Sequence, residues 1–140
     1  LDGNYPTGSR NVALGDTALD SVEAGGTDNV AIGHAALTAN TSGDNNTAIG
    51  QSALCANTTA ENNVAVGNLA LKNNTTGAAN IAVGAASLDA NTEGANNTAI
   101  GGNSLTTNTT ADDNTAVGKD SLKLNTTGTG NIAVRKHNRN

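Results

Sequence analysis

The segment NTAIGQSALCANTTAEN, residues 46–62, carries the pattern on which the fold depends. The next segment, NVAVGNLALKNNTTGAA over residues 63–79, repeats its spacing of apolar, glycine and asparagine residues. Further copies begin at Asn11, Asn29, Asn80, Asn97 and Asn114, with a partial copy at Asn131. The spacing is 17 residues throughout, except for 18 in the first copy. Self-similarity at a fixed short period indicates a repeat architecture.

Each copy can be numbered from its first asparagine, which gives the consensus N-[TVI]-A-[ILV]-G-x-x-[AS]-L-x-x-N-T-[TS]-[GA]-x-x. Positions 2 to 4 alternate as a short strand does, and β-branched residues there favour extended backbone. Glycine at position 5 suits a corner, and the Asn-Thr-Thr-Gly segment suits a turn. The sequence therefore predicts an all-β fold, a parallel β-solenoid or β-roll of seven to eight coils, with room for a short helical turn in each.

The larger apolar side chains are predicted to fill the interior of the coils. Position 4 is branched aliphatic in every copy, position 2 shares its face of the strand, and position 9 is leucine. The predicted core ladders are Ile32, Ile49, Val66, Val83, Ile100 and Val117 at position 4, with Leu37, Leu54, Leu71, Leu88, Leu105 and Leu122 at position 9.

Position 3 is alanine in every copy and is predicted to point to the opposite, outer face of the strand. A solvent-facing position would accept larger polar residues, so an unvarying alanine suggests close packing against another chain. The predicted inter-chain contact residues are Ala31, Ala48, Ala65, Ala82, Ala99 and Ala116. A slender stack with few large apolar residues gains little from burial, which also favours a homo-oligomer.

A helical alternative also fits the period, because two repeats make the 34 residues of a tetratricopeptide unit. However, segments of the Asn-Thr-Thr-Gly type interrupt the chain every 17 residues from Asn40 to Asn125 and leave at most about seven residues for a helix. The β-solenoid is therefore the preferred interpretation.

Composition excludes several classes of function. The formal net charge is −5 and Tyr5 is the only aromatic residue, which argues against binding to nucleic acid. No apolar run approaches the roughly 20 residues that span a bilayer. The single cysteine, Cys55, cannot form an intramolecular disulfide and is interpreted as a surface or packing residue.

No group of residues in the sequence points to catalysis. His34 occupies a variable position, His137 lies near the end of the chain, and the adjacent Asp112 and Asp113 recur in no other copy. We therefore predict no catalytic residues, no metal site and no cofactor, and expect that the protein is not an enzyme.

Threonine at position 13 forms a second unbroken series. Its members are Thr41, Thr58, Thr75, Thr92, Thr109 and Thr126. Regular threonine arrays on solenoids suggest ice binding, whereas the simpler interpretation is a turn whose side chains bond to the backbone.

The core motif N-x-A-[IV]-G-x-x-[AS], seen in Asn46–Ala53, resembles the head repeat of trimeric autotransporter adhesins, and the whole repeat resembles those of phage tail-fibre proteins. The resemblance covers about residues 11–134. It implies a left-handed parallel β-roll in which three chains wind side by side, serving as a rigid extracellular spacer or receptor-binding shaft on a virion or a cell surface.

The sequence thus predicts an N-terminal lead-in over residues 1–10, a solenoid over 11–134 and a basic tail over 135–140. The expected function is that of an extracellular structural and adhesive shaft. Its expected partners are copies of itself, as a homotrimer, and a host-surface glycan or protein. The alternatives are an ice-binding solenoid and a subunit of an extracellular filament.

Overall fold

The computed structural model describes residues 9–21 and 26–135. The predicted lead-in and basic tail therefore lie largely outside the described residues, apart from Ser9, Arg10 and Arg135. The strands are β1 (Val12–Leu14), β2 (Val30–Ile32), β3 (Thr47–Ile49), β4 (Val64–Val66), β5 (Ile81–Val83), β6 (Thr98–Ile100), β7 (Thr115–Val117) and β8 (Ile132–Val134). They form one parallel sheet in chain order.

Pairing between neighbouring strands keeps equivalent repeat positions side by side. Ala48 pairs with Ala65, for example, and Ile49 pairs with Val66. The turns stack as well: the Leu54 amide donates to the Ala70 carbonyl at 3.0 Å, one coil further on. Each repeat is therefore one full coil, which confirms the predicted parallel β-solenoid. The short helical turn is not formed, because the described residues contain no helix and positions 6 to 11 are successive turns.

The faces of the strand are the reverse of those predicted. The position 3 alanines of β2 to β7 are fully buried within the single chain, whereas the residues at positions 2 and 4 are half-buried or exposed. The predicted core ladder at position 4 is therefore wrong for Ile32, Ile49, Val66, Val83, Ile100 and Val117. The predicted outward-facing contact is equally wrong for Ala31, Ala48, Ala65, Ala82, Ala99 and Ala116.

The reason lies in the narrow interior of the coil. Leucine at position 9 enters the core from the opposite wall, as predicted, and is buried in Leu37, Leu54, Leu71, Leu88 and Leu105, while Leu122 packs at the edge of the same cluster. The strand lies on the wall opposite these leucines, and its position 3 alanines contribute their methyl groups to the same cluster. Alanine is thus required by the chain's own packing, and no second chain is needed to explain it.

Two ladders of buried asparagine side chains run through the solenoid, at positions 1 and 12. At position 1, the Asn63 amide N–H donates to Oδ1 of Asn46 at 3.0 Å, and Asn63 Oδ1 accepts from the Asn80 amide at 2.9 Å. At position 12, Asn74 Nδ2 donates to Oδ1 of Asn57 at 3.2 Å. Side-chain amides of both ladders also donate to the carbonyl at position 15, such as that of Gly77. Buried polar groups are stable only when bonded in this way.

The glycines at position 5 allow neighbouring coils to approach closely. Their φ angles lie between 113° and 139°, a region that residues with a side chain rarely adopt. A Cβ placed on Gly67 would lie 2.6 Å from the carbonyl oxygen of Gly84 in the next coil. The corner is therefore closed to any residue larger than glycine.

Three further positions of the coil adopt positive φ without glycine. They are positions 7, 9 and 17, and the buried Leu54 and Leu71 have φ of 51° and 50°. Left-handed backbone costs an ordinary residue about 1–2 kcal/mol, and asparagine tolerates it better. Position 17 is Asn45, Asn62 and Asn96 in three coils but Ala79 in another.

We expect Ala79→Asn to raise the free energy of unfolding by about 1 kcal/mol, because asparagine adopts the left-handed conformation more readily than alanine. Ala79 has φ of 57° and is exposed, so the larger side chain has room. Urea unfolding followed by circular dichroism would measure the change. The neighbouring substitution Ala78→Asn, at a position without positive φ, is the control and should produce no such gain.

Candidate assembly surface

The outer face of the sheet carries two parallel rows of apolar side chains, which we call the aliphatic stripe. Position 2 supplies one row and position 4 the other, and the register places each side chain beside its equivalent in the next coil. Between β2 and β7 the stripe consists of Val30, Ile32, Thr47, Ile49, Val64, Val66, Ile81, Val83, Thr98, Ile100, Thr115 and Val117. Its seven steps from β1 to β8 span roughly 34 Å at the usual distance between strands.

Exposure of the stripe is unusual for residues of this type. Ile49, Ile81 and Ile100 are 37%, 40% and 41% exposed, although isoleucine is normally among the most buried residues. The stripe contains valine, isoleucine, leucine and threonine and has no charged member. Contiguous apolar surface of this kind marks a contact surface in many proteins.

The outward orientation of positions 2 and 4 does not follow from the sequence pattern alone. Alternation along the strand separates the residues into two faces but does not say which face lies inside. Burial was assigned to the larger side chains, so the stripe was placed in the core. Positions 2 and 4 carry no charged residue in any of the eight copies, which is consistent both with a place in the core and with a place on a contact surface.

The threonine ladder at position 13 bonds along the solenoid instead of facing solvent freely. Thr41 Oγ1 donates to the Thr58 carbonyl at 3.1 Å, and Thr75 Oγ1 donates to the Thr92 carbonyl at 3.0 Å. Thr58 and Thr92 make the same bond to the next coil. These four hydroxyl groups therefore bond to the backbone of the next coil and tie neighbouring turns together.

The variable positions 6, 7, 10 and 11 form the part of the coil surface that differs most from one repeat to the next. Gln51 and Asn68 bond to each other through their side-chain amides at 3.2 Å. Asp120 lies 3.5 Å from the Lys123 ammonium, and the hydrogen bond from Asn103, with the nearby lysines, holds the pKa of that carboxyl below its usual range. This surface is polar and chemically varied, unlike the stripe.

Residues singled out for possible chemistry do not converge on one site. The Cys55 Sγ faces the Lys72 carbonyl at 3.6 Å, and burial raises the pKa of this thiol, which disfavours the reactive thiolate. His34 Nε2 lies 3.9 Å from a carboxylate oxygen of Asp16 on the exposed surface. His137 lies outside the described residues. Within residues 9–21 and 26–135, no three histidine, cysteine or acidic side chains are placed to share a metal ion.

An ion pair between Arg10 and Asp28 lies at the N-terminal end of the described residues. Arg10 Nη2 lies 2.6 Å from Asp28 Oδ2, and a second contact joins Nε to Oδ1. The hydrogen bond from Arg10 holds the pKa of the Asp28 carboxyl below its ordinary value. Folding lowers the pKa of Asp28. The pair's contribution to the stability of the fold is therefore present above the pKa that Asp28 has in the unfolded chain, and it is lost as the pH falls through the pKa that Asp28 has in the folded chain.

In the part of the chain that the structure describes, no helix is long and apolar enough to cross a membrane. Comparison with protein-family models, curated proteins and solved structures gives no match for this chain. The stripe and the polar variable surface are therefore the features from which a function can be inferred.

Proposed function

We propose that the protein is a structural and adhesive rod that assembles laterally with copies of itself through the aliphatic stripe. The observation that supports this most directly is the uncharged outer face of the sheet, where Ile49, Ile81 and Ile100 are exposed and the other stripe residues between β2 and β7 are half-buried. Left in water, these side chains forgo a substantial gain from burial, roughly 25 cal/mol per Å² of apolar surface. A second copy supplies a surface of matching length and chemistry.

The assembly we propose is a homotrimer in which the three stripes face a common axis. Closed rotational symmetry covers the stripe of every copy equally and leaves no stripe free for further addition. The threefold number is taken from the resemblance of the repeat to trimeric adhesin heads. The variable positions 6, 7, 10 and 11 lie away from the strand and remain available to a host-surface glycan or protein.

The role we propose is extracellular and mechanical, not catalytic. A rod of stacked coils holds its ends apart and repeats its surface at regular intervals, which favours weak binding at many sites at once. A shaft on a cell surface or a virion uses both properties.

The mass of the purified chain in solution tests the assembly. Static light scattering is expected to give three times the 13.7 kDa of one chain. The double substitution Ile81→Lys with Ile100→Lys is expected to reduce the mass to that of a monomer, because two buried ammonium groups per copy would face the axis. Both side chains are about 40% exposed in the single chain, so the coil itself accommodates the change.

The control places the same charge outside the stripe. Ala85→Lys lies at position 6, where Lys119 occurs naturally, and should leave the trimeric mass unchanged. A wild-type monomer at all concentrations would contradict the assembly, as would a double variant that keeps the wild-type mass.

The stripe also keeps an ice-binding alternative open, at a different location from the position 13 ladder. Its two rows are regularly spaced and include Thr47, Thr98 and Thr115 among apolar neighbours. Ice binding requires the stripe to stay exposed in a monomer. A monomeric wild-type chain that shapes growing ice crystals, and loses that activity with Ile81→Lys and Ile100→Lys, would replace the structural proposal.

A further inference from the structure

The eighth copy of the repeat carries Arg135 at position 5, where the seven preceding copies carry glycine. The Arg135 amide donates to the Val117 carbonyl at 2.8 Å, just as the Gly118 amide donates to the Ile100 carbonyl at 2.7 Å. The chain therefore enters this corner in the same register as at every earlier coil. It does so with a residue that the corner does not accept.

The glycine corner has two requirements that arginine cannot meet together. The φ of 113° to 139° is strained for any residue with a Cβ. In addition, a Cβ at these glycines would lie within 2.4–2.8 Å of backbone atoms of the following coil. If arginine held the corner conformation, its Cβ would occupy the space of an added coil. If it did not, the chain would leave the path of the solenoid.

The Arg135 side chain also occupies a bonding position that a following coil would use. Its Nη1 donates to the Asp120 carbonyl, at position 7, over 3.3 Å. In interior coils, a threonine of the next coil donates to the same position: Thr38 Oγ1 to Thr17 at 2.8 Å, and Thr106 Oγ1 to Ala86 at 2.7 Å. The guanidinium thus replaces a contact that otherwise joins two coils.

Within residues 9–21 and 26–135, β8 is the last strand of the sheet. Ile132 and Val134 are 80% and 75% exposed, and an open strand edge invites pairing with another chain. Charged residues at sheet edges are a common means of preventing that pairing.

We propose that the Cβ of Arg135, at the corner that is glycine in the seven earlier coils, caps the described solenoid after β8 and blocks the in-register addition of a further coil, including the first coil of a second copy; the guanidinium contact only adds to this block. Lateral association through the stripe is unaffected by this cap. The proposal accordingly opposes the interpretation of the chain as a filament subunit that grows by end-to-end stacking.

Substituting Arg135→Gly in the full chain tests the cap, because glycine restores the corner found in every other coil. The variant should associate end to end, with a mass by light scattering that rises with concentration and exceeds the wild-type mass at least about twofold. Electron microscopy should show rods longer than those of the wild type. Because each variant is compared with the wild type at equal concentration, the result does not depend on whether the stripe forms trimers.

Two control variants separate the effect of a Cβ at the position 5 corner from the effect of the positive charge. Lys119→Gly removes one positive charge from the preceding coil at position 6, where glycine occurs naturally as Gly102, and should behave as the wild type. Arg135→Ala removes the guanidinium but keeps the Cβ, so it should also remain capped. A concentration-independent wild-type mass for Arg135→Gly would overturn the proposal. Equal growth of the alanine and glycine variants would also overturn it, since the block would then reside in the charge.

Discussion

Gly101→Ala should reduce the free energy of unfolding by about 3–5 kcal/mol, while Gly102→Ala, at the adjacent residue, should leave it unchanged or slightly raised. Gly101 has φ of 126°, and a Cβ there would lie 2.6 Å from the Gly118 carbonyl carbon. The strain and the overlap both fall on backbone atoms, which cannot rotate away as a side chain can.

Gly102→Ala is a closely matched control for Gly101→Ala, because the same substitution is made at the adjacent residue. A Cβ at Gly102 meets only the Ala85 carbonyl oxygen, at an ordinary distance of 3.7 Å. Alanine there also restricts the unfolded chain, which favours folding by up to about 1 kcal/mol. Urea unfolding of the two variants under identical conditions measures the difference. Equal stabilities would show that the coils separate easily at the corner, contrary to the close stacking described above.

Asn63→Asp should destabilise the solenoid by about 3–5 kcal/mol at neutral pH, because it places an uncompensated charge in the core. Asn63 is fully buried, and its Nδ2 donates to the Gly77 carbonyl at 3.0 Å. An ionised carboxylate at that place would face the carbonyl oxygen without a proton between them.

The stability lost in Asn63→Asp should diminish as the pH falls. Burial raises the pKa of the introduced carboxyl in the folded state above its unfolded value. The penalty is therefore greatest above the folded pKa and disappears below the unfolded one, where the group is protonated in both states. The exposed neighbour provides the control: Asn62→Asp puts the same charge at position 17, where Asp113 occurs naturally. It should cost little and show no comparable pH dependence.

The coil and its register could be predicted from the sequence because each depends on local spacing. The recurrence of Asn46-Thr47-Ala48-Ile49-Gly50 fixed the period, and the period fixed which residues pair between strands. The burial of the leucine ladder could also be predicted, since position 9 is leucine in every complete copy and is the largest apolar side chain outside the strand.

The orientation of the strand could not be predicted in the same way. The choice between Ala48 and Ile49 for the interior depends on the width of the coil, which no single repeat reveals. The buried asparagines narrow that interior further, and their burial runs against the usual preference of the residue for the surface. The hydrogen bonds between coils, such as that from Asn74 to Asn57, and those within a coil, such as that from Asn74 to the Gly77 carbonyl, make this burial favourable.

The uniform register has a consequence for how such a chain can vary in length. Because the strands pair each residue with its equivalent one repeat away, deleting residues 63–79 would join Asn62 to Asn80 and let β3 pair with β5 in the same register. The molecule would shorten by roughly 4.8 Å, the distance between neighbouring strands. The first coil shows that single insertions are tolerated too: it holds one extra residue, yet Val12 still pairs with Val30. Gene duplication or loss of whole repeats can therefore set the reach of the protein in small equal increments.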